Sequence, residues 1–250
     1  MQQTIDQLQS LRLTGLLTAW REQQTSPSYH DLSFDERFAL LVEREYLRRQ
    51  QLQLERRLKR ARLPIAATVE SVDFERPRGL SKMQLLEWAQ GQWVIDHLHL
   101  LFVGPTGVGK TFLAAALARR LCQHRLPVRY FKTSELLVEL KFAKADGSFA
   151  KLRQSLRAFP LLILDEWLRD PLSANDAREL LDLLDERYRC GSCLFLTQLP
   201  VEQWHQQIQD PTLADAMLDR IVHDCLRLAL SGESMRKLTS PLQPASEVAA

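Results

Sequence analysis

The chain has 250 residues and carries 33 lysines and arginines against 31 aspartates and glutamates, a net charge of +2, with 45% hydrophobic residues, 9 glycines and 11 prolines. That balance excludes a wholly disordered chain, a collagen-like fibre and a disulfide-stapled miniprotein, and a chain of this size folds without metal or disulfide support. The longest apolar run, Phe112 to Ala118, spans seven residues, far short of the ~20 that a membrane helix requires. Asp6, Arg12, Arg21 and Glu22 interrupt any apolar core of a secretory signal, so a cytoplasmic protein with no membrane partner is expected.

In chain order, residues 1–63 read as helix throughout and form a small all-helical N-terminal domain. Leu8, Leu11, Leu16 and Trp20 recur at near-helical spacing, and the break falls at Ser26-Pro27-Ser28. Ser33 precedes Glu36 at capping-box spacing and opens a second helix with Phe34, Phe38, Leu41 and Val42 on its apolar stripe. That helix runs into a basic stretch, residues 44–62, with a local charge of +6. Leu63-Pro64 ends it, since proline cannot continue a helix. Residues 64–98 read as a connector with a short helix near 81–90. From His99 the texture changes: apolar runs at 99–103, 127–131, 161–165, 193–197 and 224–228 alternate with helical segments at about 110–124, 133–142, 173–189 and 211–222. Alternation of this kind implies parallel strands with crossover helices, a three-layer α/β domain over residues 99–239. A tail at 240–250 is expected to be disordered.

Gly104-Pro105-Thr106-Gly107-Val108-Gly109-Lys110-Thr111 matches G-x-x-x-x-G-K-[ST] in full, after a β-prone run and before a strong helix former. The glycines let backbone N–H groups curl around phosphate oxygens, and the helix N-terminus adds partial positive charge. In this pattern Lys110 reaches the β- and γ-phosphates of ATP and Thr111 ligates Mg²⁺. Four apolar residues, Leu161 to Leu164, lead into Asp165-Glu166, which places two acids at the carboxyl end of a strand. Asp165 is the natural partner of the Mg²⁺ on Thr111. Glu166, one residue on, is expected on the other side of the strand, where it can polarise an attacking water. The run at 127–131 is expected to insert an extra strand between these two nucleotide strands. That arrangement favours a motor-type ATPase over a small-molecule kinase.

These motifs, with Asp146-Gly-Ser148, Thr197-Gln-Leu-Pro-Val201-Glu-Gln-Trp204, Asp210 to Arg220 and Gly232-Glu-Ser-Met-Arg236-Lys, resemble the IstB-like family over about residues 8–238. Members of that family are AAA+ ATP-binding helpers of bacterial insertion sequences, related to the DnaC and DnaI helicase loaders. The resemblance implies a three-layer P-loop AAA+ (ASCE) core with a parallel sheet behind the helical N-terminal domain. It also implies a γ-phosphate sensor at Thr197 or Gln198, an arginine finger at Arg220 offered to a neighbouring subunit, and a second sensor at Arg236.

Among the cations of the basic stretch, Arg48, Arg49, Arg56, Arg57, Lys59 and Arg60 are candidates for sequence-independent contacts to double-stranded DNA. Lys141, Lys144, Lys151 and Arg153 form a second candidate group, with Phe142 and Phe149 interleaved. The N-terminal helices could equally dock a transposase. Cys190-Gly-Ser-Cys193 has no second pair to complete a zinc site and reads as structural. The function implied is an ATP-hydrolysing transposition helper that acts as a homo-oligomer on target DNA and recruits or stimulates its cognate transposase. A replicative helicase loader is the alternative, and a P-loop kinase without DNA a third reading.

Overall fold

The computed structural model describes residues 2–238, so the expectation for the tail at 240–250 lies outside the described residues. Two compact units divide between Arg56 and Arg57.

The first unit holds α1 (Gln2–Ser10), α2 (Thr14–Thr25), a 3-10 turn at Pro27–Tyr29 and most of α3 (Phe34–Ala61). The expected single helix before Ser26 is broken at Leu11–Leu13, where Arg12 takes a left-handed backbone (φ 57°). The cause lies in α3. Arg48 Nη2 donates to the Arg12 carbonyl at 2.9 Å, and Glu45 Oε2 accepts from the backbone N–H groups of Gly15 (2.8 Å) and Leu16 (3.3 Å). Glu45 is buried, and hydrogen bonding from Arg48 foremost holds its carboxyl down to about 2. A Cβ on Gly15 would lie 3.1 Å from Glu45 Cα, so glycine lets α2 close on α3. The capping box that starts α3 is present: Ser33 N donates to Glu36 Oε2 at 2.8 Å and Glu36 N to Ser33 Oγ at 3.3 Å.

The second unit begins with the last turn of α3 and a connector containing a 3-10 turn (Val69–Ser71), α4 (Lys82–Gln90) and α5 (Gln92–Ile95). It continues β1 (His99–Val103), α6 (Lys110–Gln123), β2 (Val128–Lys132), α7 (Thr133–Ala145), α8 (Phe149–Arg157), β3 (Leu161–Asp165), α9 (Ala174–Arg187), β4 (Ser192–Thr197), α10 (Pro211–Val222), β5 (Cys225–Ala229) and α11 (Met235–Leu238). All strand pairings are parallel, in the order β2-β3-β4-β1-β5. One expectation is corrected here: the strand between β1 and β3 is β4, and β2 lies at the sheet edge. Composition explains the exchange. β4 is buried along its whole length, whereas β2 carries the half-exposed Arg129 and Lys132, and the opposite edge strand β5 carries Arg227. Charges are tolerated on edges and not in the sheet centre.

Alternating residues bury both faces of the sheet. Leu101, Leu162, Leu164 and Phe195 join a core with Leu136, Leu180, Trp167 and Trp204 under α7–α10. Their neighbours Leu100, Phe102, Ile163 and Leu194 are equally buried on the other face, where Trp88 of α4 meets Phe102 and α4 packs on α6. Arg187, 1% exposed, pins the floor by donating to the carbonyls of Leu156, Phe159, Pro160 and Ser192 at 2.8–3.2 Å.

His99 opens β1 in a buried position, and its Nδ1 accepts the Cys193 N–H at 3.1 Å. Burial, and secondarily the Arg187 guanidinium, push its pKa from 6.5 to about 4. Above pH 6.5 both folded and unfolded chains hold it neutral; between 6.5 and 4 only the unfolded chain takes the proton. Acidification across that window therefore removes up to about 3 kcal/mol of stability through this one group. Urea midpoints should fall more steeply from pH 7 to 4.5 in the wild type than in His99→Asn, and parallel profiles would show that the proton is taken up elsewhere.

Candidate functional site

Between the end of β1 and the start of α6 the loop Gly104–Gly109 turns sharply, with Gly107 and Gly109 at φ 85° and 105°. A Cβ on Gly107 would meet Ser234 Oγ at 2.1 Å, and one on Gly104 would meet the Leu230 carbonyl at 2.5 Å. Glycine is required at Gly107 for both conformation and space. The loop is tied down on all sides. Gly104 N donates to the Thr197 carbonyl (3.2 Å), Leu230 N to Val103 O (2.7 Å), and Met235 N to Gly107 O (2.9 Å). Lys110 Nζ folds back on the carbonyls of Gly104 (2.5 Å) and Pro105 (2.9 Å), and its burial lowers its pKa against the opposing pull of Asp165.

Asp165, the last residue of β3, collects the site around its carboxylate. Oδ2 accepts from Thr111 Oγ1 and from the Tyr130 hydroxyl, both at 2.8 Å, and Oδ1 accepts the Glu166 N–H at 2.8 Å. Thr133 Oγ1 donates to its backbone carbonyl at 2.9 Å. Burial first, then the Asp165 charge, push the Tyr130 phenol upward, so it stays a protonated donor.

Glu166 corrects a second expectation. The strand ends at Asp165, and Glu166 takes a left-handed backbone (φ 56°) that ends the alternation, and it lines the same cleft as Asp165. Arg169 Nη1 donates to the Glu166 carboxylate at 2.6 Å, and Lys132 Nζ lies at 4.0 Å.

These groups line a cleft of about 760 Å³. Thr106, Gly107, Gly109, Lys110 and Thr111 form one wall; Asp165, Glu166, Thr197 and Gln198 lie along the strand ends; Ile65, Asp73, Arg76 and Arg78 come from the connector. Val108 is buried behind the loop. Thr197 is 1% exposed, with Oγ1 accepting the Leu199 N–H at 3.1 Å, while Gln198 is exposed. The sequence motifs did not reveal Tyr130, Thr133, Lys132, Arg169 or Arg78, and only Lys132, at the end of a strand, carried a positional hint.

Arg220 is not among the cleft residues. It lies at the end of α10, where Nε donates to Asp185 (2.8 Å), Nη1 donates to Asp219 (3.1 Å) and the guanidinium stacks on Tyr188. The backbone of Arg236 belongs to α11, two residues beyond Ser234 on the phosphate loop; its side chain lies outside the described residues.

The candidate DNA contacts are unequally committed. Arg48 and Arg49 are paired with Glu45. Arg57 Nε donates to the Cys122 carbonyl at 2.8 Å, and Arg60 lies over the Phe159 ring. Lys141, Lys144 and Arg153 pair with Asp176, Glu179 and Glu186, a row of acids on α9. Arg56, Lys59 and Lys151 are exposed. No described helix is long and apolar enough to cross a membrane.

Residues 6–242 match the family described as IstB-like ATP binding protein. The insertion-sequence ATP-binding protein y4pL of Sinorhizobium fredii (strain NBRC 101917 / NGR234) is 39% identical, over 94% of this chain and 96% of that protein. The ATP-binding protein of insertion sequence IS1162 from Pseudomonas fluorescens is 41% identical over 80% of this chain and 87% of that protein. Among solved structures, DnaI superimposes with a TM-score of 0.57 at 20% identity, covering 70% of this chain and 93% of that one. The replication initiator DnaA, solved with AMPPCP and single-stranded DNA, gives 0.54 at 15% identity, covering 67% and 51%. At such identities the shared property is the fold, the parallel P-loop sheet of AAA+ proteins. The chain thus belongs to the IstB-like ATP-binding family, on a fold shared with DnaI and DnaA.

Proposed function

We propose that this protein is the ATP-driven helper of an insertion sequence: a cytoplasmic protein that assembles as a homo-oligomer on double-stranded target DNA and recruits or stimulates the cognate transposase. The observation that carries the nucleotide half is the 2.8 Å contact between Thr111 and Asp165 at the foot of the phosphate loop, with Glu166 alongside. The transposition half is supported by relatives up to 41% identical that are named as insertion-sequence proteins. The fold likeness to DnaI keeps the helicase-loader reading as the alternative.

A hydroxyl and a carboxylate side by side make an oxygen-only donor pair that suits Mg²⁺, which takes its remaining ligands from phosphate and water. Thr111 and Asp165 would hold it, and the ion would supply neutralisation of phosphate charge. The chain's own groups do the rest. Lys110 exchanges its two loop carbonyls for phosphate oxygens, a cation already desolvated and aimed inward. Glu166 orients the attacking water and takes its proton, which requires Arg169 to release the carboxylate. Thr197 or Gln198 contacts the γ-phosphate from the end of β4, and Arg236 approaches from the segment on the phosphate loop. Residues 1–63 form the DNA- and partner-binding domain. Of the cations on α3, Arg56 and Lys59 carry the duplex contact, because Arg48, Arg49, Arg57 and Arg60 already serve the fold; Lys151 is the corresponding candidate on α8. Arg220 exchanges Asp185 and Asp219 for the γ-phosphate of an adjacent subunit.

Three experiments bear on these roles. Lys110→Ala should lose ATP binding, whereas Glu166→Gln should bind ATP and turn it over at least about 100-fold more slowly; ordinary turnover by Glu166→Gln would remove that residue from catalysis. Duplex binding, followed by fluorescence anisotropy, should be insensitive to sequence and fall steeply between about 50 and 200 mM salt. Charge reversal at Arg56 and Lys59 should weaken it on every duplex, and an unchanged affinity would return this face of α3 to plain solvation. For the interface, Lys110→Ala and Arg220→Ala should each be inactive alone and regain turnover when mixed, since an arginine supplied in trans is worth about 10³–10⁵ in rate. A mixture that co-assembles on DNA yet stays inactive would rule out Arg220 as the shared residue.

A further inference from the structure

Against the phosphate loop, on the wall of the cleft, lies a buried guanidinium that none of these roles uses. Arg78 belongs to the connector and is 5% exposed. Its Nη1 donates to the Val108 carbonyl at 3.2 Å and its Nη2 to the Asp73 carbonyl at 2.6 Å, while Nε is buried with no hydrogen-bond partner. The Asp73 carboxylate meets Arg76 instead, at 3.0 Å. Arg78 therefore rests on two carbonyl dipoles with no carboxylate in contact, and burial pulls its pKa below the usual arginine range. A guanidinium keeps its proton even so, and a positive charge stays beside the loop.

The backbone around it is fixed. Ser231 N donates to the Arg78 carbonyl at 3.1 Å, and Gly79 (φ 78°) runs so close to the end of β5 that a Cβ there would come within 2.5 Å of the Ala229 carbonyl. On the loop side, a Cβ on Gly109 would meet Arg78 Nη1 at 2.9 Å, so the guanidinium lies flush against that glycine.

The geometry of the peptide bond gives this contact a direction. In a trans peptide the C=O and N–H point opposite ways. A donor that holds the Val108 carbonyl therefore fixes the direction of the Gly109 N–H, one of the amides that the loop can offer to an anion. Resting on the nucleotide reading above, we propose that Arg78 is a positioning residue for polyphosphate: it orients the Val108–Gly109 peptide and provides, beside the loop, a positive charge that no carboxylate contacts and that a bound phosphate chain balances. It touches no reacting atom. Its contribution should scale with the number of phosphates and should be absent for the nucleoside.

The test compares wild type, Arg78→Lys and Arg78→Met, using Mg·ATP, Mg·ADP and adenosine in calorimetry or competition, with steady-state turnover beside them. Arg78→Met should bind Mg·ATP and Mg·ADP at least about tenfold more weakly and raise KM to match, with kcat at saturation within about threefold of wild type. Adenosine binding should stay unchanged, and Arg78→Lys, which keeps the charge but not the fork, should recover part of the loss. Thermal unfolding without nucleotide separates this from a merely structural role, since relief of an unbalanced buried charge should leave the midpoint of Arg78→Met close to wild type. Equal weakening of ATP and adenosine, or full ATP affinity in a folded Arg78→Met, would overturn the proposal. If Arg78→Met does not fold, Arg78→Lys decides alone: weaker ATP with unchanged adenosine supports it, and wild-type ATP affinity overturns it. Wild-type protein that binds neither ATP nor ADP would instead withdraw the nucleotide reading itself.

Discussion

One carboxylate gathers the elements on which the site depends. Asp165 takes a hydroxyl from α6 (Thr111), a second from β2 (Tyr130), a third on its backbone carbonyl from the start of α7 (Thr133), and the amide of its own successor. Three of these donors are uncharged hydroxyls in a largely buried setting, where the carboxylate strengthens the bonds from Thr111 and Tyr130 and a missing partner is costly. The edge strand β2 is thereby fixed to the nucleotide strand by more than its ladder, and the register that sets Lys132 opposite Asp165 also brings its ammonium toward Glu166. The carboxylate orders the protein around it and at the same time presents an oxygen beside the phosphate loop.

Charge in this chain is mostly spent locally. The acids of α9 face the cations of α7 and α8, and the single buried acid of α3 holds two arginines and two backbone amides. The α7–α9 and α8–α9 pairs, whose cations are part-exposed, contribute little stability each and weaken as salt rises. They do lower the number of cations free to meet a polyanion without an exchange of partners. A count of lysines and arginines therefore overstates the electrostatic footprint, and Arg56, Lys59 and Lys151 remain the exposed candidates without a partner among the described residues.

Much of the architecture was legible because its signals are local. The five strands and the helices between them follow from apolar runs and their spacing, and Lys110, Thr111 and Asp165 belong to contiguous motifs whose chemistry does not depend on distant residues. What stayed hidden was set by tertiary contact. Nothing near Arg12 announces a helix break, since its cause is an arginine 36 residues on. The direction of Glu166 depends on a left-handed backbone at a single residue, which defeats the alternation argument. The exchange of β2 and β4 was open to a compositional reading, because charges at Arg129 and Lys132 mark an edge, but chain order suggested otherwise. Arg78 gave no motif at all: a lone arginine between proline and glycine acquires meaning only when the loop it supports is folded against it.

The phosphate loop has neighbours from both ends of its unit. Connector residues before β1 lie on one side, and the segment after β5, through Leu230, Ser234 and Met235, closes the other. Although the loop itself is one of the most local motifs in the chain, its rigid form depends on contacts more than 100 residues away. Loop closure over such separations comes late in folding. During synthesis, therefore, the sheet's central strands can be in place while the loop still lacks its outer wall, which follows the last strand in the chain. A nascent or partly unravelled chain thus presents the loop without the wall that Leu230, Ser234 and Met235 supply.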